Sequence, residues 1–393
     1  MIVTDGEQRA ALAVVRSLGR AGHRCIVTSS SRVSIAGASR FAARTVRVPD
    51  ALDNPGEFAD SVIAITLAER AAIVLPISEP AMLALLPERS RLLPAVVPFP
   101  DLAAFRSLSD KRHLLDQAER LGIRIPQQHV LANRGDAETV GLDKLTYPIV
   151  VKPARSVGEF AGSRSKLGVT YAADATELRR RINMLSNAAF PLLLQQRIVG
   201  PGTGIFLLMW NGKLHAQFAH RRLSEKPVTG GVSVYRESVQ IDEALKDLSR
   251  TLLERFEWRG VAMVEYKRDA ATGVPYLMEV NGRFWGSLQL AIDSGVDFPR
   301  LLVSCALGEA PNAPPKYRIG VRSRWWWGQV DHLVARLRPH LGPAQMLPGT
   351  PSATRALGDL MLGPFRSSDY EEVLRWSDPR PFCHETIRWL ARQ

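Results

Sequence analysis

The stretch from residue 261 to residue 287 constrains the fold most, because two strand-like runs flank a single short turn there. It reads VAMVEYKRDAATGVPYLMEVNGRFWGS. The midpoint between Glu265 and Glu279 is residue 272, which lies inside the turn. An antiparallel hairpin closed at this turn places the two glutamates opposite each other, with Cβ atoms about 5 Å apart. The spacing therefore predicts a pair of facing carboxylates.

The same face of this hairpin has the chemistry of a magnesium site. Side chains alternate along a strand, so Glu279, Asn281 and Arg283 point to the same side. Two facing carboxylates repel each other unless a cation lies between them or one of them is protonated. An added asparagine oxygen gives a cluster of hard ligands that suits magnesium, which normally shares its shell with nucleotide phosphates. The alternative is a hairpin whose polar residues simply face solvent.

The first hundred residues alternate between strands and helices. Short apolar runs at residues 1–3, 25–27 and 72–76 flank amphipathic stretches at residues 8–20 and 80–86. This order predicts a parallel, Rossmann-like sheet. In such a sheet ligands bind beyond the carboxyl ends of the strands. The residues expected to line that pocket are Asp5, Gly6, Ser78 and Glu79.

A proline-rich stretch at residues 94–100 marks the first domain boundary. Beyond it we predict a helix at 111–121 and strands at 147–152 and 192–198. Residues 205–219 form a predicted hairpin with Asn211-Gly212 as its turn, a strong local signal. After Pro311 the amino-acid composition changes. This part of the chain contains a run of three tryptophans, residues 325–327, followed by basic stretches that we predict to be helical. We expect these tryptophans to pack the C-terminal segment onto the core.

Composition excludes several classes of protein. No apolar run approaches the roughly 18 residues of a membrane-spanning helix, and we expect no secretory signal at the N-terminus. Three cysteines far apart in sequence give neither a disulfide framework nor a zinc site, which favours a cytoplasmic location. The net charge of +12 comes mostly from dispersed arginines, so we expect no nucleic-acid partner. The histidines at 332, 340 and 384 lack metal-ligand spacing.

Glu265 followed by Glu279-Val-Asn281-Gly-Arg283 resembles the E…E-x-N-x-R signature of the ATP-grasp superfamily. Lys111 and Lys152 resemble its two phosphate-binding lysines. Residues 154–169, rich in glycine and serine, are similar to the flap that closes over the phosphates. Residues 192–204 are similar to the hinge that holds adenine through backbone groups. The stretch 220-HRRL is closest to a carboxylate–amine ligase branch near carbamoyl-phosphate synthetase.

The resemblance implies a role for each matching residue. Two magnesium ions would be bound by Glu265, Glu279 and Asn281. Manganese is expected to substitute for magnesium. Arg283 is expected to stabilise an oxyanion, and Arg222, rather than Arg221, to clamp a carboxylate or phosphate. The residues expected to contact ATP are Lys111, Lys152, Ser156, Gly158, Gly162, Ser163, Gln195, Gln196 and Ile198.

The chain also departs from the family pattern at the hinge. Gln195-Gln196 stands where many relatives have Gln-Glu. No acidic residue follows where some relatives bind ribose, because residues 202–204 read Gly-Thr-Gly. The sequence therefore does not indicate a residue that contacts the ribose. The tight loop at Gly230-Gly231 is a further place where backbone can approach a ligand.

The implied fold is α/β and α+β. It comprises a Rossmann-like pre-ATP-grasp domain, a two-lobed ATP-grasp domain and a helical C-terminal tail. The predicted boundaries are 1–105 for the Rossmann-like domain, 106–194 for the small (lid) subdomain, 195–310 for the large catalytic subdomain and 311–393 for the C-terminal extension.

The implied function is that of an ATP-dependent ligase. It activates a small-molecule carboxylate as an acyl phosphate and couples it to an amine. The resemblance also implies a homodimer, which is the state of many relatives. A bicarbonate-using carboxylase or a carbamoyl-phosphate-type enzyme would share the nucleotide site. A different class, an NAD-dependent oxidoreductase, is disfavoured because residues 5–10 contain one glycine instead of G-x-G-x-x-G. A nucleotide-binding protein without catalysis would have little use for Arg283.

Overall fold

The computed structural model describes residues 1–160, 163–227, 231–337, 352–363 and 366–391. Two predicted positions, Gly162 and Gly230, lie outside these described residues, as does His340. None of the helices in the described ranges is both long enough and apolar enough to cross a membrane.

The N-terminal region forms the parallel sheet that the sequence predicted. Its four strands run in the order β3-β2-β1-β4. They are β1 (Ile2–Val3), β2 (Cys25–Ser29), β3 (Ala42–Arg47) and β4 (Val74–Leu75). The helices of this region are α1 (Arg9–Arg20), α2 (Pro55–Ala68) and α3 (Glu79–Leu85). Helix α1 is buried all round over residues 10–18, so it lies inside the core and not on its surface.

A second, antiparallel sheet has the order β5-β10-β6-β9 and its own small core. Its strands are β5 (Gln128–Leu131), β6 (Ile149–Pro153), β9 (Thr170–Ala172) and β10 (Leu192–Gln196). A separate hairpin, β7 (Val157–Phe160) and β8 (Ser163–Lys166), lies between β6 and β9 in the chain. The helices here are α6 (Asp136–Thr139) and α7 (Ala175–Met184). Two helices that precede this sheet in the chain, α4 (Leu102–Ser109) and α5 (Lys111–Arg120), belong instead to the larger core described below.

The largest sheet has seven strands in the order β15-β14-β11-β12-β13-β16-β17. Five of them are β11 (Gly202–Trp210), β12 (Lys213–Lys226), β13 (Val232–Ser238), β14 (Gly260–Arg268) and β15 (Pro275–Asn281). Asn211 and Gly212 both have positive φ, as the predicted tight turn between β11 and β12 requires. The accompanying helices are α8 (Glu243–Arg255), α9 (Leu288–Ser294) and α10 (Phe298–Ala306). This sheet shares one hydrophobic core with the N-terminal region.

The C-terminal segment is helical, as predicted, and it also extends the largest sheet. Its helices are α11 (Trp326–Leu337), α12 (Ala353–Leu362) and α13 (Arg380–Leu390). It contains two short strands, β16 (Arg322–Arg324) and β17 (Asp369–Glu371). Strand β16 pairs with β13, and β17 pairs with β16. The prediction of a tail that is only helical missed these strands. Each has three residues with charged side chains at both ends, so neither shows an apolar pattern.

Buried ion pairs join this segment to the N-terminal helix α1. Arg16 is 1% exposed, and its Nε donates to Asp378 Oδ2 at 2.8 Å. Its other nitrogens donate to the backbone oxygens of Glu372, Val373 and Asp378. Glu372 accepts from Arg236 of β13 and, at 2.6 Å, from Arg9. The segment is thus fixed to two parts of the core by fully paired charges.

We predict that one buried carboxyl of this segment makes folding stability depend on pH. Burial raises the pKa of Glu371 to about 7, although Arg324 opposes the rise. Between the ordinary value of 4.5 and 7 the unfolded chain loses this proton while the folded protein keeps it. Stability should therefore fall across this window by up to about 3 kcal/mol.

Glu371→Gln should flatten this decline, because glutamine does not titrate. The measurement is the thermal midpoint between pH 5 and pH 8 for the wild type and the variant. Glu57→Gln, at an exposed position of α2, is the matched control and should keep the slope of the wild type. The same slope in Glu371→Gln and in the wild type would contradict this account.

Candidate active site

The β14–β15 hairpin has the predicted register. Glu265 pairs directly with Glu279 across the two strands, although a bulge follows Glu265. Asn281 Nδ2 donates to Glu279 Oε1 at 3.2 Å, and Arg283 donates to Asn281 Oδ1 at 3.3 Å. The two carboxylates, the amide and the guanidinium therefore lie on one face of the hairpin, as the alternation of side chains requires.

Two lysines approach this face from the small sheet and its neighbouring helix. Lys111, the first residue of α5, places Nζ 3.7 Å from Glu279 Oε2 and 3.0 Å from Ser156 Oγ. Lys152, in β6, donates from Nζ to the backbone oxygen of Met278 at 3.2 Å. Both lysines are buried. Lys111 therefore contacts the Glu279 carboxylate directly, whereas Lys152 contacts the backbone of the preceding residue on the same strand.

The electrostatics of the two glutamates differ. Burial alone would raise the pKa of Glu279, but Lys111, Lys152 and the Asn281 amide together lower it to about 2. Burial lowers the pKa of Lys152 below the ordinary lysine value, because it disfavours the charged ammonium form, although Glu279 opposes this shift. Burial also raises the pKa of Glu265, with Arg222 opposing. Glu279 is thus the more firmly ionised of the pair.

Arg222 points into the cleft, whereas its neighbour Arg221 points away. Arg222 NH2 lies 2.6 Å from Glu265 Oε2, and its NH1 lies 3.5 Å from Glu225 and donates to the Gly231 backbone oxygen. Arg221 instead pairs with Glu237, with 55% of its side chain exposed. The sequence favoured Arg222 over Arg221 for a site role. Its guanidinium is paired with two carboxylates, and the predicted role as a carboxylate or phosphate clamp stays a prediction.

Gly202 explains how Arg222 reaches Glu265. The two residues lie on β12 and β14, and β11 runs between these strands. A Cβ on Gly202 would lie 2.9 Å from Cδ of Arg222, so a larger residue would obstruct the arginine. The glycine at 202, where some relatives have an acidic ribose contact, leaves space for this ion pair.

A cleft of about 500 Å³ runs between the small sheet and the largest sheet. This volume lies within the roughly 300–1,000 Å³ that small-molecule sites occupy. Its polar end contains Glu265, Glu279 and Lys152. Lys111 lines an adjoining hollow that shares Glu279 with the cleft. The apolar side chains that line it are Val150, Leu167, Val169, Tyr171, Ile198, Met263 and Met278. The cleft thus combines an apolar section with a strongly charged one.

The residues predicted to bind ATP do not all face this cleft. Ser156, Gln195, Gln196 and Ile198 line it. Gly158 lies in β7, where a Cβ would meet the Ala188 backbone oxygen at 2.7 Å, so this glycine allows close packing. Ser163 is exposed as the first residue of β8, where it pairs with Phe160, the last residue of β7.

The hinge glutamines have different roles. Gln195 is buried, and its Nε2 donates to Gln128 Oε1 at 2.8 Å. The backbone N–H of Gln196 donates to Gln127, so this group is already used in the sheet. The Gln196 side chain is exposed at the cleft. Of the two side chains, that of Gln196 is available to a ligand.

The structure adds cleft residues that the sequence did not single out. Lys267 lies two positions after Glu265 on β14, and strand alternation places it on the same face. Lys166 enters from β8, and Glu225 enters from β12. His220, also on β12, is 1% exposed, and neither ring nitrogen has a hydrogen-bond partner among the described residues. Only the Lys267 position could have been found from strand periodicity.

The N-terminal region contributes one side chain to the charged end. Asp5 has a structural role, since its carboxylate accepts hydrogen bonds from the Ser78 hydroxyl at 2.6 Å and from two backbone N–H groups. Glu79, the next residue after Ser78, lines a hollow together with Lys111 and Arg283. The predicted edge of the parallel sheet therefore meets the cleft at Glu79.

The donor set at the charged end fits magnesium. Glu265, Glu279 and Asn281 offer hard oxygen atoms on one face. Within the residues that the structure describes, no group of three or more His, Cys, Asp or Glu side chains could bind a metal by itself. Magnesium typically takes only one or two protein carboxylates and completes its shell with water and substrate phosphates. Two carboxylates beside two lysines match that pattern.

Comparison with known proteins agrees with this geometry. A family model described as "ATP-grasp in the biosynthetic pathway with Ter operon" matches residues 189–328. This range contains both glutamates of the pair, the asparagine, and the arginines at 222 and 283. The match confirms the predicted resemblance to the ATP-grasp superfamily. The narrower branch near carbamoyl-phosphate synthetase stays a prediction.

Several solved structures share the fold. An L-amino acid ligase from Bacillus licheniformis superposes with a TM-score of 0.61 at 20% identity, over 78% of this chain and 73% of that one. The biotin carboxylase domain of a Hydrogenobacter thermophilus 2-oxoglutarate carboxylase gives 0.64 at 16% identity, over 82% and 73%. An N5-carboxyaminoimidazole synthetase from Staphylococcus aureus, complexed with ADP, gives 0.60 at 12% identity, over 80% and 79%.

Proposed function

We propose that this chain, which has the fold of the ATP-grasp superfamily, is a ligase that uses ATP and magnesium to join a carboxylate to an amine. The carboxylate is first phosphorylated to an acyl phosphate, and the amine then displaces phosphate. The observation that carries the proposal is a pair of buried lysines at the charged end of a cleft large enough for a nucleotide. Lys111 lies 3.7 Å from Glu279, and Lys152 contacts the backbone of the residue before it.

The charged end of the cleft is suited to a triphosphate. Lys111 and Lys152 bind phosphate oxygens, because they are buried cations beside a carboxylate that a metal ion can take over. When bound by Glu265, Glu279 and Asn281, magnesium neutralises charge on the phosphate oxygens. The biotin carboxylase domain from Hydrogenobacter thermophilus was solved with MgADP, which supports a magnesium–nucleotide complex as the ligand of this cleft.

Arg283 is placed to act on the reacting carbonyl. Two of its N–H groups donate to the Phe284 backbone oxygen and to Asn281, which hold the guanidinium in place. A guanidinium has five donors, so three have no hydrogen-bond partner among the described residues and can serve a ligand in the cleft. A fixed arginine stabilises the oxyanion that forms when the amine attacks the acyl carbon.

The apolar section of the cleft binds adenine. Tyr171, Ile198 and Met263 offer flat or flexible apolar contacts, and the Gln196 side chain offers an amide. Arg222 keeps Glu265 oriented through the 2.6 Å ion pair. The identity of acid and amine is not specified by these groups. The L-amino acid ligase from Bacillus licheniformis supports amino acids as the first substrates to screen.

The test is release of ADP from ATP and magnesium in a screen of paired carboxylates and amines, with bicarbonate as one of the acids. Release that needs an organic acid, with hydroxylamine trapping an acyl hydroxamate, is the expected result. Release that needs only bicarbonate would replace the ligase by a carboxylase-type reaction. No release with any pair and no binding of ATP would contradict the proposal.

Arg222 and Arg221 form a matched pair for this assay. Arg222→Ala should lower the rate of ADP release about 100-fold, because Glu265 loses its buried partner and its orientation. Arg221→Ala should stay within about twofold of the wild type, because a half-exposed ion pair contributes little. Equal losses in the two variants would show that the ion pair with Glu265 has no functional role.

A further inference from the structure

A second cavity adjoins the charged end of the cleft. It has a volume of about 140 Å³ and lies between α3, the junction of α4 and α5, and the strand β7. Glu79 lines both this cavity and the hollow that contains Lys111 and Arg283. A molecule in the second cavity therefore has direct access, past Glu79, to the place where phosphate would leave.

Glu79 is a carboxylate without a partner. It makes no hydrogen bond or ion pair with any residue that the structure describes, although its side chain is partly buried. Burial raises its pKa, and the positive charges of Arg283 and Lys111 oppose the rise. An acid in such a place costs free energy unless a cationic ligand pairs with it. The carboxylate therefore indicates an ammonium group as the missing partner.

The same cavity offers guanidinium groups for a negative charge. Arg106 and Arg155 line it, and each is about half exposed. Each has one long ion pair, of 3.4 Å from Arg106 to Glu159 and 3.9 Å from Arg155 to Asp110. Exposed pairs of this kind contribute only about 0–1 kcal/mol, so a ligand carboxylate can replace them.

The remaining wall is apolar and the space is small. Leu83 and Val157 are buried and line the cavity. A volume of 140 Å³ corresponds to about five water molecules at roughly 30 Å³ each. The occupant is therefore a small molecule with a short apolar portion, a positive charge and a negative charge.

We infer that this cavity is the acceptor subsite of the ligase and that it binds a small α-amino acid, with the ammonium group on Glu79 and the carboxylate on Arg106 and Arg155. The assignment of the cavity as an acceptor subsite rests on the proposed function, whereas the chemistry of its ligand is inferred from the cavity alone. Glu79 lies between this cavity and the hollow that contains Arg283. The carboxylate that binds the ammonium group also accepts the proton that the nitrogen must lose before it attacks the acyl carbon and displaces phosphate.

The test is calorimetric titration of L-alanine into the full chain with magnesium and a non-hydrolysable ATP analogue. We expect L-alanine to bind, and ethylamine and acetate, which each lack one charge, to bind at least tenfold more weakly. Glu79→Gln should weaken L-alanine binding at least tenfold, and so should the double variant Arg106→Gln/Arg155→Gln. Glu57→Gln and Arg112→Gln, at exposed positions outside the cavity, should stay within twofold.

The binding of the ATP analogue, measured in the same samples, separates the two ideas. A wild type that binds the analogue but not L-alanine overturns the inference and leaves the proposed function standing. Equal L-alanine affinity in Glu79→Gln and the wild type also overturns it. A chain that does not bind the analogue contradicts the proposed function, while the titration still decides whether Glu79 binds the amino acid. Retained analogue binding in each variant shows that it is folded.

Discussion

Glu279→Ala is expected to abolish the stabilisation that ATP and magnesium together give the protein. A ligand at about 100 times its dissociation constant should add roughly 2.7 kcal/mol to the wild type. In the variant the metal loses the ligand that two lysines keep ionised, so magnesium should add nothing to the effect of ATP. Metal-free ATP should still bind, because Lys111 and Lys152 lose a competing carboxylate.

The same variant should be almost inactive. Metal ions contribute several kcal/mol to phosphoryl transfer, and each 1.36 kcal/mol is a factor of ten, so we expect a loss of about 1,000-fold or more. The measurements are thermal midpoints with ATP, with magnesium and with both, followed by ADP release. Glu309→Ala, at an exposed position, serves as the control. If magnesium-dependent stabilisation survives in Glu279→Ala, the Glu279 carboxylate is not a magnesium ligand.

The second large effect concerns stability. Arg16→Ala should lower the free energy of unfolding by about 3–5 kcal/mol, because it leaves Asp378 without its buried guanidinium partner. Asp378 also accepts from Ser39 Oγ at 2.6 Å and from the Arg40 N–H at 2.9 Å, so the loss affects two segments of the N-terminal region. We expect the thermal midpoint to fall by roughly 5 °C, because a chain of this length has a large entropy of unfolding.

Arg20→Ala is the matched control, because Arg20 is exposed on the same helix. It should change the thermal midpoint by about a degree or two at most, as surface substitutions do. The double variant Arg16→Met/Asp378→Leu should recover much of the loss, since it removes both charges instead of one. If Arg16→Ala costs no more than Arg20→Ala, the C-terminal segment is held by other contacts.

Local patterns in the sequence were enough to predict the secondary structure that frames the site. The register of Glu265 with Glu279 followed from the position of one turn, because hairpin pairing is fixed by the residues between the strands. The parallel N-terminal sheet followed from the order of strands and helices. Lys111 and Lys152 came from the resemblance to a family, since nothing near either residue in sequence reveals what lies beside it.

Contacts between distant segments could not be predicted in the same way. The ion pair of Arg222 with Glu265 crosses a strand and depends on the glycine at 202. Ser163 and Gly158 matched a flap by composition, yet one is exposed at a hairpin end and the other serves packing. Strand β16 adds to the edge of β13, and β17 adds to β16, although neither three-residue segment has a strand pattern.

The sequence by itself determined which side chains share a strand face, where the hairpins close and which family the central region resembles, because these depend on residues close together in the chain. The tertiary structure alone decided which charges meet. It brought two lysines to Glu279, left Glu79 without a partner beside a second cavity, and buried Arg16 against Asp378. The physical reason is that the energy of a charge depends on burial and on neighbours within a few ångströms, and most of those neighbours are distant in sequence.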